Sequence, residues 1–105
     1  MARYRPVLCL ASVLTLLPCS GAAMAQNAEN GRRLSERWCT ECHAIGAAPG
    51  KLNGVPSFAA IAARESITSD MIASFLLLPH ATMPNFPLSR DDARDIAAFV
   101  LETKK

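Results

Sequence analysis

Five consecutive residues, Cys39-Thr40-Glu41-Cys42-His43, constrain this chain more than any other stretch. On a helix, residues three and four apart share a face, so Cys39, Cys42 and His43 can all address one flat object. Two thiols and an imidazole in that register form the C-x-x-C-H pattern by which haem is covalently attached to a polypeptide. The sulfurs can form thioethers with the porphyrin edge, and an imidazole nitrogen can ligate the iron.

The N-terminal stretch reads differently from the rest. Arg3 and Arg5 precede an apolar run from Val7 to Leu17, and Pro18, Cys19 and Ser20 lead on to Ala23-Met24-Ala25. Charge, apolar core and an A-x-A site in that order describe a secretory signal peptide over residues 1–25, cleaved before Gln26. The apolar run is well short of the roughly 20 residues that a membrane-spanning helix needs. Cys19 offers a lipid-anchor alternative, but Pro18 stands where such sites usually carry a small residue.

Removing residues 1–25 from the 105 leaves 80, and the charge argument changes with them. Arg3 and Arg5 leave, so Lys and Arg fall from 11 to 9 and balance the 9 Asp and Glu. The formal charge of +2 therefore belongs to the leader, and a case for nucleic-acid or anionic-membrane binding goes with it. Cys9 and Cys19 leave as well, so Cys39 and Cys42 are the cysteines that remain. One small domain of this size usually needs a disulfide, a metal or a cofactor to hold it.

Along residues 26–105, Asn27 is a plausible N-cap and Glu29 suits the start of a helix dipole. A first helix from about Ala28 into the motif would carry Gly31, Leu34 and Trp38 as an apolar stripe. Its other face, with Arg32, Arg33, Glu36, Arg37 and Glu41, reads as solvated. Gly46, Pro49, Gly50, Asn53, Gly54 and Pro56 make 44–56 a loop. Pro56 is either an ordinary turn proline or the residue whose carbonyl accepts the second imidazole proton of His43. Ser57 to Glu65 reads as a short helix with Phe58 and Ile61 on one side. Thr68 or Ser69 caps another, apolar on more than one face through Met71, Ile72, Phe75, Leu76 and Leu78 and stopped by Pro79.

Pro79, Pro84 and Pro87 forbid regular structure around Met83, which is displayed on a constrained loop. Its thioether either fills a gap in the core or takes the sixth position on the iron, opposite His43. His80 is the rival ligand, and Met71 a more distant one within a helix. Ser89 and Asp92 then form a capping-box pattern. Ala93, Ile96, Ala97, Val100 and Leu101 follow with helical periodicity, and no strand pattern appears anywhere. The expected class is all-α, with about four helices.

With these features in this order, residues 26–105 resemble the small class I c-type cytochromes of the bacterial periplasm. The resemblance rests on Gly31 eight residues before Cys39, on the Cys39–His43 motif, on Pro56, on Met83-Pro84 and on the terminal amphipathic helix. It implies a cytochrome c fold around one haem c attached through Cys39 and Cys42. It also implies His43 and Met83 as axial ligands, the Pro56 carbonyl on the His43 ring, and first and last helices crossing near Gly31 with Ile96 and Phe99 in contact. The chain departs from the family at Ser35, where an aromatic is common; Trp38 or Leu34 would compensate.

The function expected is one-electron transfer in the periplasm, not enzyme catalysis, with a monomer exchanging electrons with a respiratory complex, an oxidase or a periplasmic dehydrogenase, or acting as a subunit of a larger redox enzyme. An alternative is a ligand-binding haem sensor or catalytic haem subunit whose sixth position is open or taken by His80. A dithiol oxidoreductase lacks its βαβ context, and two cysteines with an adjacent histidine make a poor tetrahedral zinc set.

Overall fold

The computed structural model describes residues 26–47, 49–78 and 82–105. Four helices follow one another, and among the described residues there is no strand. The leader expected over residues 1–25, together with Pro79 and His80, lies outside the described residues.

The first helix, α1 (Ala28–Trp38), starts where Asn27 accepts a hydrogen bond from the Asn30 N–H and satisfies one orphan donor of the first turn. Its exposed face is held by Arg32, which pairs with Glu29 at 2.5 Å and with Glu36 one turn further on. The helix does not run into the motif as expected. It stops at Trp38, and Cys39 is the cap, its N–H donating to the Ser35 carbonyl at 2.8 Å.

The last helix, α4 (Arg90–Glu102), opens with both halves of the capping box, Ser89 and Asp92 each accepting from the other's backbone N–H. It buries Ala93, Ile96, Ala97 and Val100. Between them lie α2 (Phe58–Ala62), capped by Ser57, and α3 (Ser69–Leu77), capped by Thr68. The α2 helix is shorter than the sequence suggested: it ends at Ala62, and Ser66 at φ 60° turns the chain toward α3.

All three other helices pack on α4, and none of them packs on another. The crossing of α1 and α4 is close because Gly31 has no side chain. A methyl group there would overlap the Asp95 carbonyl and fall 2.9 Å from the Ile96 N. Ser35, one turn further along α1, is fully buried in place of a bulkier residue. The contact expected of Ile96 is present, and the Phe99 ring meets Phe58, with centroids 6.0 Å apart. Asp95 fastens the start of α1 by accepting from the Asn27 N–H and the Asn30 side-chain amide. Because α1, α2 and α3 share α4 but not each other, space remains among them.

Candidate functional site

That space is a cavity of about 660 Å³, within the range of small-molecule and cofactor sites. Its wall is drawn from every part of the chain after α1. The motif contributes Cys39, Cys42 and His43; the following loop, Leu52, Val55 and Pro56; α2 and α3, Phe58, Ile61, Met71, Ile72 and Phe75; α4, Ile96 and Val100. Thr82, Met83 and Pro84 close the remaining side. The five residues singled out in the sequence, Cys39, Cys42, His43, Pro56 and Met83, thus meet on one cavity. Met71 lines it too, from α3.

The motif occupies a turn rather than a helix, yet the turn keeps helical register. The N–H groups of Cys42 and His43 both donate to the Cys39 carbonyl, at 3.2 and 2.8 Å. The three side chains therefore stay on one side, as i, i+3 and i+4 positions do. Gly50 makes this possible from outside: its backbone lies so near the turn that a methyl group would sit 2.7 Å from the Cys42 O and 2.9 Å from the His43 carbonyl carbon. A Lys51–Glu41 ion pair at 2.5 Å ties the same loop down on the surface.

The His43 ring is fixed on two sides. Its Nδ1 lies 2.6 Å from the Pro56 carbonyl oxygen, and its ring is 5.6 Å from that of Phe58. A carbonyl only accepts, so the contact assigns the proton to Nδ1 and leaves the Nε2 lone pair available as a ligand. The loop holds this geometry because the Phe58 N–H also donates to the Ala44 carbonyl.

The two thiols differ. Cys39 is buried, and burial pushes its pKa up to about 11, with the Ser35 hydroxyl one turn back acting against the shift and Cys42 adding to it. Cys42 is half-buried, and neither thiol forms a disulfide. On the other side, the Met83 loop is joined to α1 by its Phe86, whose ring meets Trp38 at 5.5 Å; Arg37 lies over the same indole.

Leu52, Met71 and Phe75 line the cavity although each is more than half exposed. Exposed apolar side chains around a concavity mark a binding groove. Two sulfurs, an imidazole with a free Nε2 and a thioether, on a wall that is otherwise apolar apart from Thr82 and Arg64, fit a haem. Among the described residues no three His, Cys, Asp or Glu side chains gather to hold a metal ion by themselves, and no helix is long and apolar enough to cross a membrane.

Among the wall residues that sequence reasoning missed are Leu52, Val55, Arg64, Ile67 and Thr82. Leu52 and Val55 were legible in principle, as large apolar residues in a loop of glycines and prolines. Nothing in the sequence pointed to Arg64, which also lines the cavity.

Comparison with known proteins points to a family. Residues 26–100 match the family model described as cytochrome C oxidase, cbb3-type, subunit III. The chain is similar to cytochrome c-552 of Bradyrhizobium diazoefficiens, 44% identical over 89 residues that cover 84% of this chain and 86% of the relative. No solved structure matches it.

Proposed function

The chain belongs to the c-type cytochrome family, and on that premise we propose that it is an exported one-electron carrier with His43 and Met83 on the iron. When bound, the haem supplies reversible one-electron chemistry between ferric and ferrous iron. The rest is done by the polypeptide.

Cys39 and Cys42 hold the haem as thioethers, and the turn that keeps both sulfurs on one side sets its place. His43 offers Nε2 while its Nδ1 proton rests on Pro56, which fixes the ring and raises its basicity as a ligand. Met83, confined by Pro84 and Pro87, offers its thioether from the facing loop. With both His43 and Met83 as ligands, the group would exchange an electron without either residue having to leave it. The apolar wall of Ile61, Ile72, Phe75 and Val100 disfavours extra positive charge and so favours the reduced state.

The observation that carries this reading is the 2.6 Å contact between His43 Nδ1 and the Pro56 oxygen on the same cavity that Cys39, Cys42 and Met83 line. Absorption spectra and carbon monoxide test it. The oxidised protein should show the band of methionine-to-iron bonding, and the reduced protein should resist carbon monoxide. Met83→Ala should lose the band and bind the gas. Ready binding by the unaltered protein would rule out firm Met83 ligation and favour a sensor or a catalytic subunit.

Export follows from the leader: residues 1–25 direct the chain to the periplasm and are removed. N-terminal sequencing of the purified protein should begin at Gln26, and a retained leader would contradict it. The partners are redox proteins such as an oxidase or a periplasmic dehydrogenase, met by a monomer.

A further inference from the structure

Among the described residues Ser35 is the one fully buried polar side chain, and the function proposed above makes no use of it. It lies on α1 one turn beyond Gly31, where that helix crosses α4. A serine inside a helix ordinarily returns its hydroxyl proton to the carbonyl four residues back. Ser35 does not: its Oγ has no hydrogen-bond partner among the described residues. Burying a hydroxyl without a partner is costly, and an alanine would supply the same small size without that cost. The hydroxyl calls for an acceptor that the polypeptide by itself does not complete.

Cys39 can become that acceptor. It stands four residues after Ser35, so the two side chains share a face. The Cys39 N–H donates to the Ser35 carbonyl at 2.8 Å, which fixes the spacing of the two residues. Its sulfur is buried, and the Ser35 hydroxyl opposes the upward push that burial gives the thiol pKa. A free thiol brings a proton of its own to this meeting. A thioether has none and can only accept. Attachment of haem at Cys39 therefore turns the sulfur into the complement of an unpaired donor.

We infer that Ser35 donates a hydrogen bond to the thioether sulfur of Cys39 and thereby positions that edge of the haem, an inference that rests on the haem reading above. A thioether is a weak acceptor in water, where better ones compete with it. Here both groups are shut away from water, and the low local dielectric strengthens what bond they make. The bond ties the Cys39 side chain to α1. It also draws electron density from the sulfur, which opposes the oxidised state. Ser35 is a positioning residue, acting on the haem through Cys39.

The test compares haem-loaded wild type, Ser35→Ala and Ser35→Thr. Covalent haem content is checked first by the spectrum of the denatured haem in pyridine. Resonance Raman spectra in ordinary and heavy water then report the carbon–sulfur stretching of the thioethers, and electrochemistry reports the potential. The wild type should show a carbon–sulfur band that moves when the hydroxyl proton is exchanged for deuterium. Ser35→Ala, which removes only the hydroxyl, should lack that heavy-water shift and have a lower potential. Ser35→Thr keeps the hydroxyl and should restore both. A serine that merely fills space would leave no heavy-water difference between wild type and Ser35→Ala, and that result overturns the inference, whatever the potential does. If the extra methyl of Ser35→Thr prevents loading, the comparison of wild type with Ser35→Ala decides alone. Absence of covalent haem from the wild type would instead remove the functional reading, and this inference with it.

Discussion

The indole of Trp38 and the ring of Phe86 lie with their centroids 5.5 Å apart, joining the last residue of α1 to the loop that presents Met83. Cys39 follows Trp38 directly. One aromatic contact therefore relates the two sides of the cavity.

Phe86→Ala removes that contact. Both rings are half-buried, so a loss of about 1–2 kcal/mol is expected, from the aromatic pair and the area it covers. The more telling effect is local. The methionine-to-iron band should weaken and added imidazole should bind faster, measured by absorption titration. Unchanged imidazole affinity would mean that the prolines alone hold the loop.

Gly31→Ala places a methyl group against the Asp95 carbonyl, which is backbone and cannot swing aside. The helices α1 and α4 must separate, at a cost of about 2–3 kcal/mol. Gly46 has nothing within 4 Å of the same added atom, so Gly46→Ala should be neutral or slightly stabilising. Denaturant titration of the two holoproteins measures the difference.

The haem-free chain should be poorly folded. The helices α2 and α3 have 5 and 9 residues, below the roughly 12–15 at which isolated helices become even marginal. Beyond α4 their packing is to the cavity. Circular dichroism of the Cys39→Ala, Cys42→Ala double variant made without haem should show a clear loss of helix. Full native helicity would contradict the expectation.

Electron transfer to the partner should depend only modestly on ionic strength, because residues 26–105 carry 9 basic and 9 acidic side chains. Stopped-flow rates across a salt series would show it. A steep fall with salt would point to a local charged patch that the net balance conceals.

The helix starts were legible because they are local. Asn27, Ser57, Thr68 and Ser89 each cap a helix through contacts three residues away. The end of α1 was not legible, because the turn at the motif is pressed into shape by Gly50 from a loop further along the chain. Gly31 drew attention by its position, but its partner at Asp95 lies in another helix. Asp95 itself reads as a surface residue until its two hydrogen bonds to Asn27 and Asn30 are seen. The same holds at the cavity. The motif and the proline-bound Met83 stand out in the sequence, whereas Phe86, which fastens the Met83 loop to α1, looks like any loop aromatic.

The contact between His43 and Pro56 spans only 13 positions of the chain, whereas the Asp95 contacts that dock α4 on α1 span 65 and 68. Closing a short loop takes less entropy than closing a long one, so the His43 side of the cavity can assemble while the C-terminal third is still free. Met83 belongs to that later third. The order this sets is the His43 side of the cavity first and the Met83 side second: while the C-terminal third is still free, the cavity stands open where Met83 will close it.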